Sequence, residues 1–333
     1  MIKEINFQNY FIYFIIIIIF SLVAGPAIPD ITISMLSIFA ILVILIKKKF
    51  DTYIKILLIV FGISLFTTLF SSYNPESFVK FLLDIRYFLF AYSIILFFKT
   101  DHFKYLIYSI LFLVIFIELD LFYQFFFDTD IFGFEANMQA NKQRLNGPFG
   151  DRYVPGSFLT KFSLPVIGYF AYKGKNNIDI IKLLFLILIT FLAILITGER
   201  MALIFYVFGI ILLFLFLKKI KFLILTFLIF SIIFVISILS IPQLKFKYEE
   251  FVNSLGISTT SLSKNENFFD SGHGLHYQTA YYIFLEHPFT GSGFKSFRHE
   301  CKKDIYISKI LQKKVGVLRI LIIFILSQYQ KLV

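Results

Sequence analysis

The sequence predicts an all-α fold, a polytopic transmembrane helical bundle with a large helical extracytoplasmic loop. Three observations predict it. Of the 333 residues, 58% are hydrophobic and 16% are charged, against about 45–50% and 25% in soluble domains. The mean hydropathy is +0.82. Apolar runs recur along most of the chain, and the connections between them alternate between basic and neutral. A soluble enzyme is excluded on these grounds. The lone Cys301 forms no disulfide within the chain and offers no thiol-rich metal site.

The apolar runs fall at about residues 10 to 24, 31 to 46, 54 to 70, 78 to 98, 104 to 127, 157 to 172, 180 to 196, 201 to 217 and 222 to 241. These nine runs approach the roughly 17 to 25 helical residues that cross about 30 Å of hydrocarbon, the shortest needing local thinning or polar ends. The first run continues through Gly25, Pro26 and Pro29 into the second without a small-residue cleavage pattern. It therefore reads as an uncleaved helical hairpin and not as a signal peptide.

Charge sets the orientation. With the N-terminus in the cytoplasm, the inner connections carry Lys3, then Lys47, Lys48, Lys49 and Lys55, then Lys99 and Lys104. Further on they carry Lys173, Lys175 and Lys182, then Lys218, Lys219 and Lys221. The short outer loops Gly25–Asp30 and Ser71–Ser77 contain no Lys or Arg, as the positive-inside bias requires. Lys80 and Lys161 fall near outer helix ends, where long side chains snorkel. The net charge of +11 thus sits mainly as lysines on the cytoplasmic face. No basic stripe is interleaved with stacking aromatics, so no nucleic acid partner is expected. An A/T-rich genome also explains a chain rich in Ile, Phe, Lys and Asn.

Three parts follow from this reading: a bundle of about nine helices over 1–241 with an outer loop at 128–156, an extracytoplasmic loop over 242–314, and a short apolar C-terminal segment at 315–333. The outer segments are where function is expected. The first holds Lys142, Arg144 and Arg152, and the second holds four of the five histidines, His273, His276, His287 and His299. Leu275, Ala280, Ile283 and Phe284 recur near helical spacing before His287-Pro288 and Gly291-Ser292-Gly293. A surface helix ending in a tight turn is expected there.

Ionisable groups within spans cost roughly 2.5–3.5 kcal/mol at mid-helix on insertion scales, so each is a candidate for function. Arg86 lies about 12 Å inside the outer end of its span. Asp120 and Gln124 lie near the outer end of theirs, one turn apart on one face. Arg200 begins another helix. If those helices are neighbours, the four groups line a cavity open to the outside. The structural alternative pairs Arg86 with Asp120 or Glu118, and Asp84 with Lys80 at i, i+4. Thr197-Gly198-Glu199-Arg200-Met201-Ala202 places a guanidinium in a very short turn between two apolar helices. A guanidinium fits phosphate through its planar fork of donors, and composition alone equally fits an interfacial anchor on lipid headgroups. His273 and His276 at i, i+3 lack the cysteines or paired carboxylates that complete a metal shell. No metal is expected, and no Walker loop, Rossmann fingerprint or H-E-x-x-H occurs.

Several motifs, in order, resemble the O-antigen ligase and polymerase superfamily of bacterial integral membrane glycosyltransferases. They are Ile85-Arg86-Tyr87-Phe88-Leu89-Phe90; Asp120-Leu121-Phe122-Tyr123-Gln124 with Asp130-Ile131-Phe132-Gly133; and Arg144-Leu145-Asn146-Gly147-Pro148-Phe149-Gly150 with Gly156-Ser157-Phe158-Leu159. Thr197-Gly198-Glu199-Arg200 and Ser271-Gly272-His273, then Glu286-His287-Pro288 and Gly291-Ser292-Gly293, complete the set. The resemblance runs from about residue 10 to 300. It implies transfer of a glycan from a polyprenyl diphosphate-linked donor to an acceptor hydroxyl, on lipid A-core or another glycan, at the outer face of the bacterial inner membrane. It implies no metal or nucleotide cofactor, and membrane lipids as further partners. Arg200 and His273 would be catalytic, and Arg86, Arg144, Asp120, Gln124 and His276 would bind substrate. His273 stands where many relatives have a second arginine. Ligase and polymerase chemistry are alike at this level, while a lipid-linked sugar transporter would call for inverted repeats and broken helices, which the sequence does not display.

The C-terminal end departs from the family pattern. The expected His-Pro-His-Asn motif is absent, and an apolar run from Arg319 to Val333 stands in its place. Written in suitable synonymous codons with the first two bases dropped, that run reads His-Pro-His-Asn-Ile-Tyr-Phe-Glu-Ser-Ile-Ser-Glu-Thr-Gly. A frameshift upstream of Arg319, near Gly316, is therefore expected; a genuine one gives an inactive product, and a sequencing error leaves the ligase reading intact for the true protein.

Overall fold

The computed structural model describes residues 2–47, 52–70, 74–136, 144–174, 177–254, 272–289, 291–293, 295–303 and 305. Every one of the nine apolar runs forms a helix: α1 (Ile2–Ala24), α2 (Ala27–Lys47), α3 (Thr52–Leu69), α4 (Asn74–Phe97), α5 (His102–Phe127), α6 (Pro155–Lys173), α7 (Asn177–Thr197), α8 (Arg200–Phe216) and α9 (Ile220–Ser240). Three more follow: α10 (Pro242–Ser254), α11 (Gly272–Glu286) and the single turn α12 (Phe297–Glu300). Among the described residues there is no strand, only an isolated bridge between Thr129 and Glu135. The fold is all-α.

Among the described residues, five helices are long and apolar enough to cross a membrane: α2, α3, α5, α7 and α9. Tyr10–Ala24 and α8 are shorter apolar helices, whereas α4 carries Lys80, Asp84 and Arg86 within its length. On α9 only Thr226 and Phe230 are buried, and residues such as Ile232 and Leu239 face outward. Large exposed side chains of this kind are stable only against hydrocarbon. The chain is a membrane protein.

The described residues form two compact units, 1–36 with 93–250 and 37–92 with 251–333. In the first, α6 packs against α5, α7 and α8, while α1 lies on α5 and α9 lies on α7 and α8. Ile117, Leu121, Leu159, Ile167, Ile187 and Ile194 fill the centre with no exposed surface. A Cβ added at Gly209 of α8 would come 2.5 Å from Leu164 Cδ1 of α6, so this glycine sets how closely those helices approach, the role small residues play between membrane helices. Polar groups in this core pair across helices. Thr190 Oγ1 of α7 donates to Glu118 Oε1 of α5, and Tyr206 Oη of α8 donates to Ile187 O at 3.0 Å. Glu118, one candidate partner of Arg86, thus has Thr190 on its carboxylate.

In the second unit, Phe61 of α3 packs on Phe81 of α4 with ring centroids 4.8 Å apart. The surface helix expected before His287-Pro288 is α11. The helix α10 was not anticipated, although Pro242 at its first position and the Lys245 to Glu249 pair at i, i+4 mark it. Residues 255–271 and 306–333 lie outside the described residues, and with them the C-terminal segment 315–333.

Replacing Gly209 by Leu should lower the stability of the detergent-solubilised protein by about 1–3 kcal/mol through overpacking, read as a fall in the apparent melting temperature. Gly209→Ala should cost less, because the first atom met is the rotatable end of Leu164.

Candidate functional site

The turn between α7 and α8 is built from its four residues upward. Thr197 ends α7 fully buried, its hydroxyl donating to Ile194 O at 2.7 Å and accepting from Glu199 N at 3.2 Å. Gly198 has φ +72°, which a side chain would strain. Glu199 is extended, with φ −81° and ψ 91°, and its carboxylate leaves α8 to cap α6. There Oε1 accepts from Gly156 N at 2.7 Å, and Oε2 accepts from Ser157 N at 3.0 Å and Ser157 Oγ at 2.7 Å. A carboxylate on the first amides of a helix meets both their unpaired hydrogens and the positive end of the dipole. The fit is tight: a Cβ on Gly156 would stand 2.9 Å from Thr197 Oγ1 and 3.1 Å from Glu199. Thr160 Oγ1 then bridges Gly156 O at 2.9 Å and Ala202 O at 3.0 Å, joining α6 to the first turn of α8.

Arg200 follows as the first residue of α8, half-buried. Glu199, the N-cap of α8, makes no side-chain hydrogen bond to its own helix, because its carboxylate is engaged on α6. A cation at a helix N-terminus carries the sign the dipole disfavours. An anion placed there would meet the guanidinium and the helix N-terminus together. Close to Arg200 lies Tyr248 of α10, whose ring meets Phe234 edge-on at 5.0 Å. Its hydroxyl is buried with no hydrogen-bond partner. Burial pushes this phenol up to about 12 from an ordinary 10.0, with Arg200 pulling weakly the other way. It is a neutral O–H donor throughout the physiological range. Tyr248 was missed in the sequence because nothing in a helix-period pattern marks a hydroxyl as unpaired.

Asp120 and Gln124 share a face of α5 as expected, and both are fully buried. At these two residues the expected open cavity is instead a packed clasp. Gln124 Oε1 accepts from Asn146 N at 3.1 Å and Gly147 N at 2.9 Å, while Nε2 donates to Asn146 Oδ1 and to Phe134 O at 3.1 Å. Asp120 Oδ1 accepts from Ile131 N at 2.8 Å. Asp130 Oδ1 accepts from Phe132 N at 3.0 Å and Phe134 N at 2.6 Å. Unsatisfied backbone amides of an irregular segment are costly near hydrocarbon, and these side chains satisfy them. Arg152 is fixed to the last turn of α1 through Val23 O at 2.5 Å, where a cation suits the dipole. Arg144 is exposed, with its guanidinium 5.9 Å from the Tyr153 ring centre.

The second unit holds Arg86 and His276. Arg86 is half-buried; Nη2 donates to Tyr87 Oη at 3.2 Å, and the guanidinium lies 5.0 Å from that ring centre. Ser37 Oγ of α2 donates to Arg86 O at 2.6 Å. Asp84 pairs with Lys295 at 2.5 Å, a partner beyond the reach of i, i+4 reasoning. Lys80 Nζ lies 3.4 Å from His299 Nε2. His276 is exposed beside Phe297, with ring centroids 6.2 Å apart. The His273 side chain lies outside the described residues. Among the described residues, no three His, Cys, Asp or Glu side chains converge.

Glu199→Ala should remove the cap of α6 and lower stability by about 1–2 kcal/mol, with a matching fall in apparent melting temperature. Tyr248 gives a pH test. The folded state holds the phenolic proton more tightly than the unfolded chain, so its stabilising contribution is intact below pH 10 and declines as pH rises toward 12. Melting temperatures across that window should fall less steeply for Tyr248→Phe than for the parent protein.

Comparison with known proteins gives one family. No curated protein and no solved structure matches the chain. Residues 185–318, from within α7 through the Thr197–Arg200 turn and beyond α12, match the family described as O-antigen ligase, which supports the chain's place in the O-antigen ligase superfamily.

Proposed function

We propose that the protein is a membrane glycosyltransferase of O-antigen ligase type. It moves a glycan from a polyprenyl diphosphate carrier to an acceptor hydroxyl, on lipid A-core or another glycan, at the outer face of the bacterial inner membrane. The observation that carries this reading is Arg200, set at the N-terminus of α8 by a turn whose carboxylate is engaged elsewhere, inside the stretch that matches the family. Alternating basic connections support the orientation, with the N-terminus cytoplasmic and residues 242–314 outside.

The chemistry is a displacement at the anomeric carbon. The acceptor oxygen forms the new bond to that carbon as the bond to the diphosphate oxygen breaks. The diphosphate leaves with the electron pair, and the acceptor proton passes to a base. Negative charge grows on the leaving group, and a fixed guanidinium at a helix N-terminus stabilises it. In this reading Arg200 grips the diphosphate, His273 contacts phosphate when protonated or serves as a neutral hydrogen-bonding substitute for a second arginine, and the histidine of the His-Pro-His-Asn motif orients or deprotonates the acceptor. Arg86, Arg144 and His276 contact substrate. Asp120 and Gln124 serve it by holding the outer segment that leads into α6.

The end of the chain qualifies the reading. The family match stops at residue 318, and Arg319 is where the alternative frame yields His-Pro-His-Asn. If that frameshift is genuine, this chain lacks the motif and is inactive; if it is a sequencing error, the transferase reading stands for the true protein. Sequencing the gene tests this directly: a hidden His-Pro-His-Asn should appear, and a frame without it would remove the idea.

With the restored frame, purified protein, lipid-linked donor and acceptor should give product. Arg200→Ala should then slow transfer by about 10²–10³-fold, the usual loss when one charge-stabilising donor is removed. Unchanged transfer by that variant would exclude Arg200 from the reaction.

A further inference from the structure

A groove of about 530 Å³ runs between α1 and α5, and its lining changes character along its length. Tyr13, His102 and Tyr105 stand at the end where α5 begins, Tyr108 and Ser109 follow one turn further in, and Phe20 and Phe112 close the far end. Two ring contacts fix this register. Phe11 of α1 meets Phe97, just before α5, at 5.6 Å between centroids, and Phe20 stacks on Phe112 at 6.2 Å. From His102 to Phe112 the rise is about 15 Å, half of a hydrocarbon core of about 30 Å. The groove is one leaflet deep.

His102 decides what such a groove holds. The residue is only 7% exposed. Its Nδ1 accepts from Lys99 N at 3.3 Å, which puts the proton of the neutral ring on Nε2. Among the described residues Nε2–H meets no acceptor, and the Ser109 hydroxyl likewise has no partner. Unpaired donors withdrawn from water are costly, and both of these belong to the groove lining. The surroundings are cationic. Lys99 and Lys104 outnumber Asp101, and Lys173 of α6 lies on Tyr169, whose ring meets Phe103. The N-cap of α5, Asp101, makes no side-chain hydrogen bond, so the positive end of the helix dipole adds to the lysines.

We propose that this groove is a site for an anionic phospholipid of the cytoplasmic leaflet, with its phosphate on His102 Nε2–H beside Lys99 and Lys104. The inference rests on the orientation proposed above, which puts the start of α5 at the cytoplasmic face, and is independent of the transfer chemistry. The lining matches such a lipid tier by tier. A buried donor and cations meet the phosphate, the hydroxyls of Tyr108 and Ser109 lie at the depth of the glycerol esters, and the rings of Phe20 and Phe112 run beside an acyl chain. Bound there, the lipid splints α1 to α5 at their inner ends, as Arg152 fastens the outer end of α1 through Val23 O.

Native mass spectrometry of the full chain, released from detergent with phosphatidylglycerol or phosphatidylcholine added, tests the site. One lipid should be retained, with phosphatidylglycerol preferred. His102→Asn keeps an acceptor near the Nδ1 position for the Lys99 amide and removes the donor at Nε2. It should weaken phosphatidylglycerol binding about tenfold or more, as loss of a hydrogen bond to a charged group does, without lowering the melting temperature of the delipidated protein. His102→Gln places a donor near the Nε2 position and gives up the Nδ1 acceptor, so it should bind within about threefold of the parent. Lys104→Gln, on an exposed side chain, should reduce the preference for phosphatidylglycerol about fivefold, the contribution of one lysine near an anionic surface.

Unchanged binding in His102→Asn, or equal retention of the two lipids by the parent protein, overturns the assignment. Should His102→Asn fail to fold, an unchanged preference in Lys104→Gln overturns it instead. The orientation is read separately: in a Cys301→Ser background, Thr100→Cys should react with an impermeant maleimide in inverted vesicles and not in intact spheroplasts. The reverse pattern overturns the orientation and with it the choice of leaflet, while the His102 variants still decide whether a lipid is held there.

Discussion

One carboxylate organises the region that matters most. Glu199 reaches back from the α7–α8 turn to the first amides of α6, and that contact fixes three helix ends at once. It satisfies amides that would otherwise be stranded, matches a negative charge to the positive end of α6, and leaves the neighbouring Arg200 at an N-terminus with no side-chain cap. Had Glu199 capped its own helix, the strongest anion-attracting position in the turn would already be filled. Gly156 makes the contact sterically feasible and Thr160 ties it to the first turn of α8. The candidate site is thus a by-product of helix capping carried out between helices.

The same constraint governs the segment between α5 and α6. Gln124 and Asp120 look from the sequence like polar groups facing a cavity, since ionisable and amide side chains near the end of a span demand a reason. The reason turns out to be backbone satisfaction: Gln124 alone meets the amides of Asn146 and Gly147 and the carbonyl of Phe134. Irregular chain beside hydrocarbon has no water to fall back on. Such a clasp holds the residues before α6 against α5 and α1.

The architecture was legible from composition and hydropathy because each apolar run must be a helix in lipid, and all nine are. The surface helix α11 was legible from its spacing and its Pro-Gly ending. What the sequence hid was pairing at a distance. Glu199 and Gly156 are separated by 43 residues, Asp84 and Lys295 by far more, and no local periodicity relates either pair. Arg200 could be singled out as a charge in a short turn, but the engagement of its neighbour's carboxylate on α6 could not. Tyr248 was hidden for a related reason, as its significance lies in a partner it lacks.

The central claim is that Arg200 contacts the diphosphate of a polyprenyl carrier. A ³¹P–¹⁵N dipolar measurement by solid-state NMR, on guanidino-labelled protein in bilayers with polyprenyl diphosphate, addresses it most directly. A coupling corresponding to about 4 Å, the separation implied by a charge-assisted hydrogen bond, should appear and should vanish in Arg200→Lys. A coupling that persists in that variant, or no coupling with ligand bound, would contradict the account.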